Sequence, residues 1–228
     1  MVARFQPHAG WMKFTSLDRY SNPLGIYTLC WRFKDGPDEC WTQRVNDFKA
    51  AKSLAVTSAM WTLSEALPKL LRDNDWKAGE TGLSVALGSG DTILVPSKPL
   101  PTLGRNASEV SKLTWLPNLL TKVAHRSLHG LSNMAERDAE VAEKYTARAA
   151  PTEIKRVLLL DDIVTRGATF REIHRAIALA NPRLDVVPLA LAKSETKDWA
   201  ASFGHDLSNQ HVPIRWAVLW DKREEAVS

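Results

Sequence analysis

The residues at 157–170, VLLLDDIVTRGATF, combine side chains and spacing suited to binding a phosphorylated ligand. The apolar run at their start predicts a strand buried on both faces, which would present Asp161 and Asp162 at its carboxyl end. The following residues, through Gly167, predict a tight turn into a helix whose first backbone amides can hold an anion. Two carboxylates before such a turn suit the vicinal hydroxyls of a ribose whose 5′-phosphate occupies the turn. We therefore predict a ribose-phosphate site where open α/β sheets bind ligands, beyond the carboxyl ends of the strands.

The pattern around this segment predicts an α/β fold with a mainly parallel central sheet flanked by helices. A helical stripe of apolar residues covers 168–181, and a second covers 47–72, where Pro68 is expected to shorten or kink the end. The first 25 residues contain aromatics punctuated by proline and glycine, and irregular structure is expected there. Further strands are predicted at 26–33, 157–160, 185–192 and 212–220.

The middle of the chain predicts a strand, a functional loop and a helix. Apolar stretches at 83–87 and 91–97 are separated by Gly-Ser-Gly, and a segment rich in Pro, Gly, Ser and Asn follows them. Helical periodicity over 107–124 predicts a helix that Pro117 ends or kinks. Residues 125–150 are mostly polar, which fits a mobile arm, an exposed helix or both.

The composition excludes several classes of protein. The chain has 228 residues, of which 44% are hydrophobic and 25% charged, as in a globular domain rather than a fibre or a disordered tail. The two cysteines, Cys30 and Cys40, are too few for a disulfide framework, and a reducing cytoplasm is the expected setting. No signal-peptide pattern or membrane-spanning apolar run is present in the sequence. The net charge of +4 and the tryptophans leave nucleic-acid binding open, without a basic arm to support it.

The segment at 157–170 resembles the phosphoribosyl pyrophosphate (PRPP) signature of type I phosphoribosyltransferases: four hydrophobic residues, two acidic residues and a T-x-G-x-T loop. The resemblance implies the fold of that family, with a small hood built from the N-terminal segment, the C-terminal segment or both. It also implies that Asp161 and Asp162 hold the ribose hydroxyls. The 5′-phosphate would be bound by Thr165, Arg166, Gly167, Ala168 and Thr169.

A second resemblance, to the ComF-like branch of this family, rests on two stretches. Residues 93–110, ILVPSKPLPTLGRNASEV, are similar to a strand ending in Val-Pro, a loop and an Asn-containing helix start. Residues 31–36, WRFKDG, are similar to an upstream aromatic motif of the branch. The chain departs from many ComF proteins because it has no C-x-x-C pair, and hence no four-cysteine zinc finger. It also places Arg166 where relatives often have Thr or Gly, which would add a guanidinium beside the phosphate.

The resemblance implies the remaining site residues. Ser97 and Lys98 would contact pyrophosphate together with Arg105, although each cation also fits an ordinary solvated surface. The polar stretch at 125–150 stands where the family has a lid, and Arg126 is the candidate lid cation and third catalytic residue beside Asp161 and Asp162. Mg²⁺ would bind with the pyrophosphate, near these two carboxylates, directly or through ribose hydroxyls or water.

The function implied is transfer of ribose 5-phosphate from PRPP to a nitrogen nucleophile, such as a nucleobase, with release of pyrophosphate. The alternative is a PRPP- or nucleotide-binding regulator, or an accessory protein of DNA uptake or processing. The partners are then PRPP and a small-molecule acceptor whose identity the sequence does not specify, and a homodimer is open because the family is often dimeric. We expect an N-terminal segment at 1–50 and an α/β domain at 51–228 within one unit.

Overall fold

The computed structural model describes residues 5–8, 11–14, 25–36, 40–125 and 134–198. Nine strands and five α-helices are assigned within these ranges, together with a short 3₁₀ turn at Ala78–Glu80. The strands are β1 (Phe5–His8), β2 (Trp11–Phe14), β3 (Ile26–Phe33), β4 (Thr81–Val85), β5 (Thr114–Trp115), β6 (Leu120–Lys122), β7 (Tyr145–Ala147), β8 (Arg156–Val164) and β9 (Asp185–Glu195). The helices are α1 (Cys40–Lys49), α2 (Ser53–Asp73), α3 (Pro99–Ser111), α4 (Met134–Val141) and α5 (Ala168–Ala180).

Seven strands form one sheet in the order β1-β2-β3-β9-β8-β4-β5. The strands from β3 to β5 in this order run parallel, and β1 and β2 add an antiparallel edge. Strands β6 and β7 pair separately as a small antiparallel sheet. The predicted α/β fold with a mostly parallel central sheet is thus confirmed.

Strand β8 lies inside this sheet, between β9 and β4, and its side chains are apolar on both faces. Leu158 and Leu160 belong to a cluster that contains α1, α2 and α3, whereas Val157 and Leu159 belong to a cluster that contains α5. All four side chains are fully buried. An uninterrupted apolar run therefore served as the sequence signal for a strand covered by helices on both sides.

The connections on the two sides of β8 leave in opposite directions. From β4 the chain passes through α3 to β5, and from β8 it passes through α5 to β9, on the other side of the sheet order. The carboxyl ends of β4 and β8 consequently border a crevice at a topological switch point, which is where open α/β sheets bind ligands. We call the space between the loop at 86–98 and the turn at 165–167 the switch crevice.

Several sequence expectations are corrected by the structure. Residues 91–97 form a loop rather than a strand, and Ile93 is largely exposed there. The helix predicted over 107–124 is wrong, because α3 ends at Ser111 and β5 and β6 follow it. The short strands have too few residues to show a period of two, so the helical period dominated the pattern. Part of the first 25 residues, expected to be irregular, forms β1 and β2.

The stripe at 47–72 is divided between two helices. Ala51 has a left-handed φ of 59°, which separates α1 from α2. Pro68 lies inside α2, which continues to Asp73, so the expected shortening does not occur. Burial of the apolar face of α2, including Leu63 and Leu67, outweighs the hydrogen bond that proline removes.

Two further expectations can be set beside the described part of the chain. The strand predicted at 212–220 lies outside the described residues. The part between residue 125 and β7 that is described contains the helix α4. Within the ranges that the structure covers, no helix combines the length and the apolar character needed to cross a membrane.

Candidate functional site

The two carboxylates lie where β8 extends beyond β4. The pairing of β4 with β8 ends at Val85↔Leu160, while β8 continues along β9 to Val164↔Lys193. Asp161 and Asp162 follow this last β4 pair and are partly exposed. Each accepts a hydrogen bond from the next backbone amide, at 2.8 Å for Asp161 Oδ1 and 2.6 Å for Asp162 Oδ1. The separation of β4 from β8 thus opens the switch crevice beside both side chains.

The carboxylates differ in their electrostatic surroundings. Burial raises the pKa of Asp161 far above the usual aspartate range, and repulsion from the neighbouring Asp162 carboxylate raises it further. Asp162 faces a cation, because the Lys49 ammonium of α1 lies 3.6 Å from its Oδ2. The pair therefore offers one carboxyl that holds its proton easily and one carboxylate beside a lysine.

The turn after β8 leads directly into α5. Gly167, the residue before the helix, has φ 77° and ψ 16°, a left-handed conformation that costs glycine little. No side chain caps the helix, and the first intrahelical bond runs from the Arg171 amide to the Gly167 carbonyl at 2.9 Å. The helix start therefore presents backbone amides to the crevice, with Thr165 and Thr169 partly exposed on either side.

Arg166 is fixed through its side chain and its backbone. Its guanidinium Nη1 lies 3.4 Å from Glu195 Oε1, and its carbonyl accepts a hydrogen bond from Arg171 Nη1 at 2.8 Å. Glu195 is buried and also accepts from the Lys193 ammonium at 2.8 Å. Burial lowers the pKa of Lys193 to about 8, whereas the Glu195 carboxylate raises it. The buried Lys193–Glu195 ion pair of β9 therefore holds the guanidinium of Arg166. We call the turn at 165–167, which contains Arg166, the phosphate turn.

The predicted pyrophosphate residues occupy different positions relative to the crevice. Ser97 and Lys98 are exposed in the loop before α3, and the Lys98 ammonium forms an ion pair with Asp91 at 2.6 Å. Arg105 lies within α3 and contacts Glu109 of the same helix at 3.7 Å. The loop brings Lys98 to the crevice, whereas the contact of Arg105 is with its own helix. Arg126 lies outside the described residues.

The small sheet of β6 and β7 contacts the loop that follows β4. Lys122 Nζ donates to the Leu87 carbonyl at 3.2 Å, and the Tyr145 hydroxyl donates to the same carbonyl at 3.0 Å. Burial raises the pKa of Tyr145 and the Asp161 carboxylate raises it further, so the phenol keeps its proton and remains a donor. Lys122 Nζ also lies 3.1 Å from His125 Nε2. Lys122 of β6 and Tyr145 of β7 thus both bind the Leu87 carbonyl at the crevice.

Sequence reasoning missed Lys122, Tyr145, Lys193 and Glu195. The sequence does carry a signal for the last two, because a lysine and a glutamate directly follow the apolar run of β9. In the structure both side chains are buried. Lys122 carries no such signal, since it lies within the helical periodicity of residues 107–124. Its partner Leu87 is distant in sequence, and only the fold brings the two together.

The described residues contain no cluster of three or more His, Cys, Asp or Glu side chains that could enclose a metal ion. The carboxylates of Asp161 and Asp162 nevertheless suit Mg²⁺, which usually keeps several waters and takes one or two protein carboxylates beside ligand phosphates. The donor set therefore fits a Mg²⁺ that arrives with its ligand.

Comparison of the sequence with protein-family models and with curated proteins finds no match in either set.

Proposed function

We propose that the protein is a PRPP-dependent phosphoribosyltransferase of the type I fold, with the ComF-like branch as its nearest resemblance. It would transfer ribose 5-phosphate to a nitrogen nucleophile and release pyrophosphate. The proposal depends on one observation: Asp161, Asp162 and the uncapped start of α5 border a crevice at the topological switch point.

The chemistry assigned to each part follows from its charge. The backbone amides at the start of α5 and the Arg166 guanidinium would hold the 5′-phosphate, since both carry positive charge. Asp161 and Asp162 would accept hydrogen bonds from the ribose hydroxyls, and this fixes the position of C1. As the C1–oxygen bond to pyrophosphate breaks and the C1–nitrogen bond forms, positive charge develops on the ribose ring. The Asp162 carboxylate favours that charge, and after attack the nucleophile releases its proton to water.

Mg²⁺, when bound with PRPP, would neutralise charge on the departing pyrophosphate. Lys98 stands on the loop that would face the leaving group, and it is paired with Asp91. For Lys98 to contact pyrophosphate directly, this pair must open, and the Asp91 carboxylate, which is only 14% exposed, would lose its cation.

The pairing of Lys98 with Asp91 also favours a second candidate function, a PRPP-binding regulator without turnover. In that case the ribose-phosphate half of the site is complete, while the pyrophosphate half lacks a free cation on its loop. Binding of PRPP without release of pyrophosphate in the presence of any base would support this candidate.

The first test is calorimetric titration of PRPP with Mg²⁺ into the wild type and the Asp161→Asn, Asp162→Asn double variant. We expect binding to the wild type and a loss of at least about tenfold in the variant, since both carboxyl groups that would accept from the ribose hydroxyls are replaced by amides. Asp73→Asn is the control, because that carboxylate belongs to an exposed pair on α2. A screen of nucleobases for pyrophosphate release follows. Absence of PRPP binding at millimolar concentration would contradict the proposal.

A further inference from the structure

Lys122 differs from the other cations around the switch crevice. The ammonium of Lys98 lies 2.6 Å from Asp91, that of Lys49 lies 3.6 Å from Asp162, and Arg166 lies 3.4 Å from Glu195. Among the residues that the structure describes, Lys122 has no carboxylate at ion-pair distance. Its polar contacts are the Leu87 carbonyl and His125 Nε2. An ammonium that is buried with no carboxylate at contact distance is energetically costly, so an anionic ligand would stabilise it.

The surroundings hold this ammonium in one place. The side chain of Lys122 is only 5% exposed, and its Nζ lies 5.3 Å from the centre of the Tyr145 ring. The Leu87 carbonyl accepts one of the three ammonium hydrogens and His125 Nε2 lies at hydrogen-bond distance, so at least one hydrogen remains for a further acceptor. The ammonium is thus desolvated and oriented before any ligand arrives, which is the condition for a strong contact with an anion.

The position of Lys122 relates it to the ligand-binding loops. Leu87, which accepts its hydrogen bond, follows β4 at the edge of the crevice. The carboxylates of Asp91 and Asp161 both stabilise the charged form of Lys122, so the ammonium lies within electrostatic reach of both sides of the crevice. The Lys122 backbone amide also bonds the Thr92 carbonyl of the loop that contains Leu87, at 2.9 Å.

We propose that Lys122 is a ligand-binding residue that contacts the diphosphate group of the molecule in the switch crevice. The inference rests on the proposed function for the identity of the ligand. Tyr145 and His125 act as positioning residues, because they hold the ammonium and the peptide that it contacts. The contact would place a second lysine ammonium beside the diphosphate, in addition to that of Lys98.

The test compares three probes: PRPP with Mg²⁺, ribose 5-phosphate, and inorganic diphosphate with Mg²⁺. Lys122→Met removes the charge with little change in volume, while the Tyr145 hydroxyl still bonds the Leu87 carbonyl. We expect this variant to bind PRPP and inorganic diphosphate about tenfold or more weakly, and to bind ribose 5-phosphate as the wild type does. Lys155→Met is the matched control, because Lys155 is an exposed lysine paired with Glu80.

A purely structural role for Lys122 gives a different pattern. Loss of the Lys122 hydrogen bond to the Leu87 carbonyl would then weaken the binding of all three probes alike. Tyr145→Phe, which removes the other donor to that carbonyl, would have the same effect. Equal weakening of all three probes in Lys122→Met overturns the inference, as does unchanged diphosphate affinity in Lys122→Met while the wild type binds PRPP. If the wild type binds inorganic diphosphate through Lys122 but neither ribose-containing probe, the proposed function fails and the anion contact stands. Absence of binding by every probe overturns both.

Discussion

The guanidinium Nη2 of Arg171 donates a hydrogen bond to Asp138 Oδ1 at 2.6 Å. Arg171 belongs to the first turns of α5 and Asp138 to α4, so this ion pair joins the two helices. The same guanidinium donates to the carbonyl of Arg166 at the start of the phosphate turn. The pair therefore connects the turn to the helix that precedes β7, and it places an acidic group beside an arginine near the positive end of α5.

We predict that Asp138→Asn lowers the free energy of unfolding by about 1 kcal/mol, because a partly buried charge-assisted hydrogen bond is weakened. A double-mutant cycle with Arg171→Gln should give a coupling energy of similar size. Denaturant unfolding measures both. The exposed pair Lys69–Asp73 is the control, and its coupling should be no more than about 0.5 kcal/mol. Equal coupling in the two pairs would show that α4 is not held by Arg171.

Asp161→Asn should stabilise the protein while it weakens PRPP binding. Asparagine keeps the side-chain oxygen that accepts from the Asp162 amide, and it removes a carboxyl whose charged form is disfavoured by burial and by Asp162. We expect a gain of about 1 kcal/mol near neutral pH, measured by denaturant unfolding. A loss of stability would show that burial and the charge of Asp162 do not disfavour the charged form of Asp161.

The stability gain of Asp161→Asn should also depend on pH with a definite sign. The pKa of Asp161 is raised in the folded state, so the folded protein keeps a proton that the unfolded chain releases. The stabilisation from this proton is complete below the ordinary pKa of aspartate and is lost as pH rises through the raised pKa. Asparagine has no such proton. The difference between variant and wild type should therefore grow with increasing pH, and a difference that shrinks would contradict the assignment.

Gly167→Ala should reduce both stability and ribose 5-phosphate affinity. The φ of 77° at Gly167 is left-handed, and an alanine there costs about 1 kcal/mol. Relief of this strain would move the first amides of α5 away from the phosphate. Gly79→Ala is a matched control, because a β-carbon at Gly79 would meet no atom within 4 Å. Thermal unfolding and calorimetry measure the two effects, and equal behaviour of the variants would exclude a special role for the turn.

The affinity for inorganic diphosphate should fall as pH rises through about 8. Burial lowers the pKa of Lys122 to about 8, so its charge is lost above that pH, and a bound anion would hold the proton more tightly. The ratio of wild-type to Lys122→Met affinity cancels the titration of the ligand. This ratio should approach one at high pH. A ratio that stays constant across pH 7–9 would show that Lys122 does not contact the diphosphate. The groups that face Lys122 are Leu87, Asp91, Lys98, His125, Tyr145 and Asp161.

The half of the site that is local in the chain can be predicted from the sequence. The 24 consecutive residues from 157 to 180 contain the apolar run of β8, the two aspartates, Gly167 and the stripe of α5. Each of these features favours its own local structure through interactions between residues that are close in the chain. These preferences agree with one another, so the strand, turn and helix formed as predicted.

The other half of the crevice depends on contacts between segments that are distant in the chain. Apolar content at 91–97 suggested a strand, yet these residues form a loop that pairs with β6, where the Lys122 amide bonds the Thr92 carbonyl. Lys122 and Tyr145 meet at Leu87 although 35 and 58 residues of chain separate them from it. Such contacts depend on which elements fold against each other, and short strands carry too little pattern to specify that. Burial of Lys122 and Lys193 beside their partners arises from this packing, because the surroundings of a side chain, and hence its pKa, are set by the whole fold.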